Sequence, residues 1–147
     1  RVLELGEPEA PMAKPFPDVA VDAWYAGYIN DLKDLSLVNG NPDGTYQPAE
    51  FINRAEFLTL AMNVYYYISD QAVRDEIDAL EAGVMTDRYE DLADAWYTPT
   101  VTVATELGFV GGVVCEGGWC IDAGREISRA EAVIILYNMF YDYLTVR

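Results

Sequence analysis

The 147-residue chain contains no histidine. Ser-His and Cys-His nucleophile pairs are therefore excluded, as are zinc sites built on imidazole. Cations are scarce as well: 9 Lys plus Arg stand against 25 Asp plus Glu, a formal charge of -16. That balance argues against nucleic acid and against an anionic bilayer surface as partners, so any anion that binds must be gripped locally. The acidic excess is otherwise a solubility or salt-adaptation feature. No apolar run approaches the roughly 20 residues that span a bilayer, so no bilayer insertion is expected. Opening at Arg1 without an initiator methionine or a signal sequence, the chain reads as a mature or excised segment.

Cysteine is nearly missing too. Cys115 and Cys120 bracket Glu116-Gly117-Gly118-Trp119, a glycine turn across which two thiols can meet. A disulfide is expected there, and with it an oxidising, extracellular setting; the other reading is two unpaired thiols. Two cysteines without histidine make a poor zinc site, and no cofactor is expected. Apolar residues, in contrast, are plentiful. At 52% hydrophobic and 13% aromatic content the chain can bury a real core, and its length suggests one domain.

Ile52-Asn53-Arg54-Ala55-Glu56 recurs as Ile127-Ser128-Arg129-Ala130-Glu131. In each copy a small polar residue precedes a glutamate by three positions and an apolar run follows, which is the capping-box signature of a helix start. The arginine falls at the first helical position, beside unpaired backbone N–H groups at the positive end of the helix dipole, so each copy is a possible anion site. Two further motifs repeat. Phe16-Pro17-Asp18-Val19 returns 73 positions on as Tyr89-Glu90-Asp91-Leu92, and Asp22-Ala23-Trp24-Tyr25 returns 72 positions on as Asp94-Ala95-Trp96-Tyr97.

The chain accordingly divides into a Pro/Glu-rich linker over 1–15, a first repeat over 16–68, a connecting helix and loop over 69–88, and a second repeat over 89–147. The fold class is mainly α: two helix-loop-helix repeats with short extended segments in their turns. The first helix of repeat one carries Tyr25, Ile29, Leu32 and Leu35 at helical spacing, with Asp22 as cap and Gly40 beyond its end. Its counterpart carries Tyr97, Val101, Ala104 and Leu107, with Thr98 as cap before Pro99. Val101-Thr102-Val103 also suits a strand by its β-branched content. The repeat favours helix. The second helices are Arg54 to Ile68, burying Phe57, Leu58, Ala61, Val64 and Tyr65, and Arg129 to Leu144, burying Val133, Ile134, Tyr137, Phe140 and Tyr141. Between them Ala72, Val73, Ile77 and Leu80 form a helix stopped by Gly83. Tyr65-Tyr66-Tyr67 cannot all face one core, so at least one ring belongs at the surface.

The sequence of Phe-x-Asp-Val, Trp-Tyr, a helix, a turn of Asp-Gly-Thr-Tyr type and Ile-x-Arg-Ala-Glu resembles the S-layer homology domain. The likeness covers about Phe16 to Ile68 and Tyr89 to Leu144. It implies two tandem repeats of a unit commonly present in three copies around a pseudo-threefold axis. It also implies a non-catalytic, extracellular anchoring module of a prokaryotic cell surface or cell wall. Its implied ligand is a secondary cell-wall polysaccharide or peptidoglycan-linked glycan, often pyruvylated, bound in grooves between repeats. The motif arginines fall on Arg54 and Arg129, the motif acids on Glu56 and Glu131, the opening aspartates on Asp18 and Asp91, and the aromatics on Trp24 and Trp96. A guanidinium suits a ketal carboxylate and an aromatic face suits a sugar ring. Helix capping accounts equally for the two glutamates, and core packing for the two tryptophans. The motif threonine before each arginine is replaced by Asn53 and Ser128.

Three other readings fit the residues. Asn39, Asn41, Asp43, Gly44 and Glu50 follow the register of a twelve-residue calcium loop, although Pro48 intrudes. Repeats that leave apolar faces uncapped favour self-association or contact with another surface protein, as in a surface-layer, filament or adhesin subunit. Paired carboxylates such as Asp18 and Asp22 suit glycoside hydrolysis, but so acidic a chain supplies such pairs by chance.

Overall fold

The computed structural model describes residues 8–11, 13–83, 89–92 and 95–145, without the side chains of 142–145. Asp94, much of the 1–15 linker and the loop 84–88 lie outside the described residues. The chain is mainly helical and forms two compact units that meet between Phe51 and Ile52. That boundary falls inside the first sequence repeat. Among the described residues no helix is long and apolar enough to cross a membrane.

Among its described residues the first unit holds one helix, α1 (Ala26–Asp34), on a small core of Phe16, Val19, Ala26 and Ile29. Tyr25 stands at its N-cap without a side-chain cap, so Asp22 does not fill the capping role expected of it. The helix also stops earlier than Gly40. Ser36 adopts φ 59°, and the Ser36 and Leu37 N–H groups return to the carbonyls of Lys33 and Leu32. This is a Schellman ending, in which a left-handed residue lets two late amides satisfy orphan carbonyls. Gly40 serves another purpose: an added Cβ would lie 2.6 Å from the Phe16 ring. The backbone must pass that close because Phe16 stacks on Tyr46, ring centroids 5.1 Å apart. At the other end, a Cβ on Gly27 would meet the Glu9 carbonyl oxygen at 2.7 Å, so the proline-rich stretch rests on α1 at that point.

The second unit contains α2 (Arg54–Ile68), α3 (Gln71–Ala82), α4 (Thr98–Glu106), a hairpin of β1 (Val113–Cys115) and β2 (Gly118–Cys120), and α5 (Arg129–Thr145). Helix α4 packs against both α2 and α3, and α5 packs against α2. Leu58, Ile77, Val101, Val103 and Ile121 form the driest part of the core. Val101-Thr102-Val103 is helical, as the repeat requires. Thr98 is the first residue of α4 rather than its cap, and its hydroxyl accepts from the Ala95 N–H at 3.1 Å. Helix α3 is capped by Asp70, whose carboxylate accepts from Val73 N–H. Of the tyrosine run, Tyr65 packs edge-on against Phe109 in the core while Tyr66 and Tyr67 face solvent.

Helix α5 departs from the expected burial. Ile135 and Met139 are buried and Phe140 is half-buried, but Val133, Ile134, Tyr137 and Tyr141 are exposed. An apolar stripe around three faces cannot be covered by one neighbour, and α2 covers only one.

Candidate functional site

The two copies agree atom by atom where the chain turns. Asp18 accepts the backbone N–H groups of Tyr46 and Gln47, and Asp91 those of Ile121 and Asp122, at 2.7–2.9 Å for the shortest contact to each. Gln47 and Asp122, the second donor residues, share a left-handed backbone with φ 56° and 55°. Each opening aspartate thus ties the start of its copy to the return of the glycine turn. The Tyr46 amide, with Gln47 assisting, holds the Asp18 carboxyl below its usual range. Helix α4 ends as α1 does, with Gly108 at φ 75° in place of Ser36. A Cβ on Gly112 would lie 2.4 Å from the Tyr89 ring, matching Gly40 against Phe16.

The capping boxes also form as the sequence requires. Asn53 Oδ1 accepts from Glu56 N–H while Glu56 Oε2 accepts from Asn53 N–H, both at 2.9 Å. Ser128 and Glu131 make the same reciprocal pair. The two arginines they place are not equivalent. Arg54 is 5% exposed; its Nη1 donates to Glu131 Oε1 at 3.1 Å and its Nη2 to the Gly111 carbonyl at 2.9 Å. Its Nε is buried with no partner among the described residues. Arg129 is exposed and makes no side-chain hydrogen bond or ion pair among the described residues. Glu131 is the busier glutamate. Arg125, which sequence reasoning passed over, grips it with both Nη groups, at 2.5 and 3.1 Å, and holds Asp122 with its Nε. Those Arg125 bonds, then those from Ser128, hold the Glu131 carboxyl at about 2.

The tryptophans stand in solvent. Trp24 is 84% exposed and Trp96 64%. Each meets the following tyrosine edge-to-face with centroids 5.4 Å apart, so the indole is propped outward at the foot of its helix. Core packing is therefore not their role.

Cys115 and Cys120 are joined by a disulfide across the hairpin, their Cα atoms 5.8 Å apart. On the open face of the hairpin Val114 sits directly opposite Trp119, both exposed. Trp119 was legible only as a turn residue between cysteines. In the 39–50 loop, Asp43 Oδ1 accepts the amide and hydroxyl of Thr45 at 2.9 and 2.7 Å, and Asn41 Nδ2 donates to the same hydroxyl at 3.4 Å. Asn39 and Glu50 are exposed. Among the described residues no three Asp, Glu or Cys side chains gather as metal ligands.

Residues 15–58 match the S-layer homology domain family. Among curated relatives, the S-layer protein EA1 of Bacillus anthracis is 29% identical over 132 residues, 90% of this chain. Cell surface glycoprotein 1 of Acetivibrio thermocellus is 27% identical over 103 residues, 70% of this chain, and the cellulosome-anchoring protein of the same organism is 25% identical over 122 residues, 82% of this chain. The chain spans only 14%, 4% and 25% of the length of those three proteins, respectively. Residues 15–58, with their aspartate clasp, outward tryptophan and arginine-led helix, are thus similar to the S-layer homology domain, and the relatives matched over most of the chain are cell-surface proteins.

Proposed function

We propose that this cell-surface anchoring segment holds its parent protein to the wall by binding an acidic, pyruvylated polysaccharide, with Trp24 and Trp96 as sugar platforms. The observation that carries the reading is the pair of outward indoles at matching positions of the two copies. Leaving so large an apolar surface in water forfeits the roughly 1.5–3 kcal/mol of a buried large side chain. An aromatic face suits a sugar ring and a guanidinium suits its acidic substituent. Arg129 is available for a ketal carboxylate as it stands, whereas Arg54 offers one only after Glu131 yields. Support for anchoring comes from the S-layer homology match and from a relative named as a cellulosome-anchoring protein. The S-layer homology match and the S-layer relatives support a structural rather than a catalytic segment.

Co-sedimentation with purified sacculi tests the reading. The unsubstituted chain should pellet with intact sacculi and stay in solution with sacculi stripped of their polysaccharide. Trp24→Ala combined with Trp96→Ala should weaken pelleting by on the order of tenfold or more at unchanged helical content. Equal pelleting of the double variant would remove the tryptophans from the site.

A further inference from the structure

The same helix face is buried in one copy and bare in the other. Aligning Arg54 with Arg129 pairs Ala55, Leu58, Ala61 and Met62 of α2 with Ala130, Val133, Leu136 and Tyr137 of α5. The four α2 residues are all buried, and the four α5 residues are all exposed; Leu58 is 0% exposed where Val133 is 64%. From Ala132 to Tyr141 the helix carries no charge, in a chain with a formal charge of -16. A run of that length without charge on an exposed helix face is the composition of an interface.

Helices α4 and α5 pack against α2, and the contact at its start shows what the start of α5 fits. The start of α2 zips against the run into α5: Arg54 N–H donates to the Arg125 carbonyl at 2.8 Å, Ala55 N–H to that of Ala123 at 3.0 Å, and Ile127 N–H to that of Ile52 at 3.4 Å. Arg54 then closes on Glu131. The two charged groups of this junction are present a second time. Arg129 heads α5 without an ion-pair partner among the described residues, and Glu56, the counterpart of Glu131, is exposed with only its Oε2 engaged at the cap. Ile52, the counterpart of Ile127, has an exposed side chain.

We propose that the bare face of α5 docks, head to tail, on the start of α2 in a second copy of this chain, with Arg129 of one copy paired to Glu56 of the next. The junction repeats between chains what Arg54 and Glu131 make within one. Because different surfaces meet, it does not close on two copies of its own accord and adds further ones. Docking and glycan binding draw on the same guanidinium, but the tryptophans take no part in it.

Sedimentation velocity over a hundredfold range of concentration, in low and moderate salt, is the test. The unsubstituted chain should grow in mass with concentration, and salt should oppose the growth. Arg129→Glu and Glu56→Arg should each raise the apparent dissociation constant by about tenfold or more, while an equimolar mixture of the two restores assembly because each supplies the other's opposite charge. Glu56→Arg also removes a cap, so Val133→Glu, at an exposed position outside any cap, serves as a second variant and should be monomeric with an unchanged melting temperature. A chain that is monomeric throughout, assembly that survives both Arg129→Glu and Val133→Glu, or a mixture that fails to restore what each charge reversal removed, overturns the proposal. So does a strict dimer in which Ile134→Cys cross-links α5 to α5.

Discussion

Arg54 and Glu131 are 77 residues apart in sequence and form a hydrogen-bonded ion pair 3.1 Å long, with the guanidinium buried. One capping glutamate thereby holds the two helix starts of the second unit together. The exposed Glu56 has only its own cap to hold.

Removing Glu131 should therefore cost far more than removing Glu56. Glu131→Ala leaves the Arg54 charge buried against a single carbonyl. We expect it to lower the unfolding free energy by about 3 kcal/mol, the low end for a broken buried pair because the Glu131 side chain is 26% exposed. Glu56→Ala loses a cap worth about 1 kcal/mol. Urea denaturation of the two variants measures the order, and equal losses would show that the Arg54 pair contributes nothing beyond capping.

Glu131 also sets an acid dependence, through its bonds from Arg125 and then Ser128. With a folded value of about 2, Glu131 lies below its unfolded value of about 4.3. A carboxylate depressed in this direction contributes its full stability above the unfolded value and loses it as pH falls through the folded one. The stability gap between the unsubstituted chain and Glu131→Gln should be constant from pH 7 to about 5 and close between about 4.5 and 2. Comparing the two chains cancels the general relief of acidic repulsion. A gap that stays open at pH 2 in thermal melts would contradict the assignment.

Two glycines with positive φ should respond unequally to alanine. Gly44, at φ 84°, has open space where a Cβ would stand. Gly44→Ala should cost about 1 kcal/mol for the left-handed backbone alone. Gly40, at φ 69°, would place its Cβ 2.6 Å from the Phe16 ring and 2.7 Å from the Thr45 carbonyl oxygen. Overpacking adds about 1–3 kcal/mol to Gly40→Ala. Chemical denaturation separates the two, and equal costs would mean that the Phe16 ring gives way.

Reduction tests the hairpin. A disulfide with a sequence separation of 5 closes a short loop and contributes about 2 kcal/mol by chain entropy. Replacing Cys115 and Cys120 by serine should lower the melting temperature and alter Trp119 fluorescence, while far-UV circular dichroism keeps its helical signature. Loss of helical signal at room temperature would mean that the hairpin supports the helices as well as the turn.

Much of the architecture is written in local chemistry. Asn53 with Glu56 and Ser128 with Glu131 announce two helix starts because capping needs only residues three positions apart, and both appear in place. Cys115 and Cys120 announce their own pairing because the loop between them is short. Helix ends were harder. Ser36, not a glycine, stops α1: its left-handed backbone, which propensity disfavours in serine, lets two late amides return to Lys33 and Leu32. The tryptophans were ambiguous from sequence because indole suits both a core and a sugar, and only the fold turns them outward.

The amino-acid order alone determined that this protein is helical, twice repeated in its motifs, devoid of histidine chemistry and crosslinked once, because each property depends on spacing or composition within a few residues. Only the tertiary structure decided which of two identically capped arginines is buried and which of two matching apolar helix faces is covered. Burial depends on what the rest of the chain brings alongside. Helix α2 has α4 and the start of α5 against it, whereas the equivalent face of α5 meets solvent.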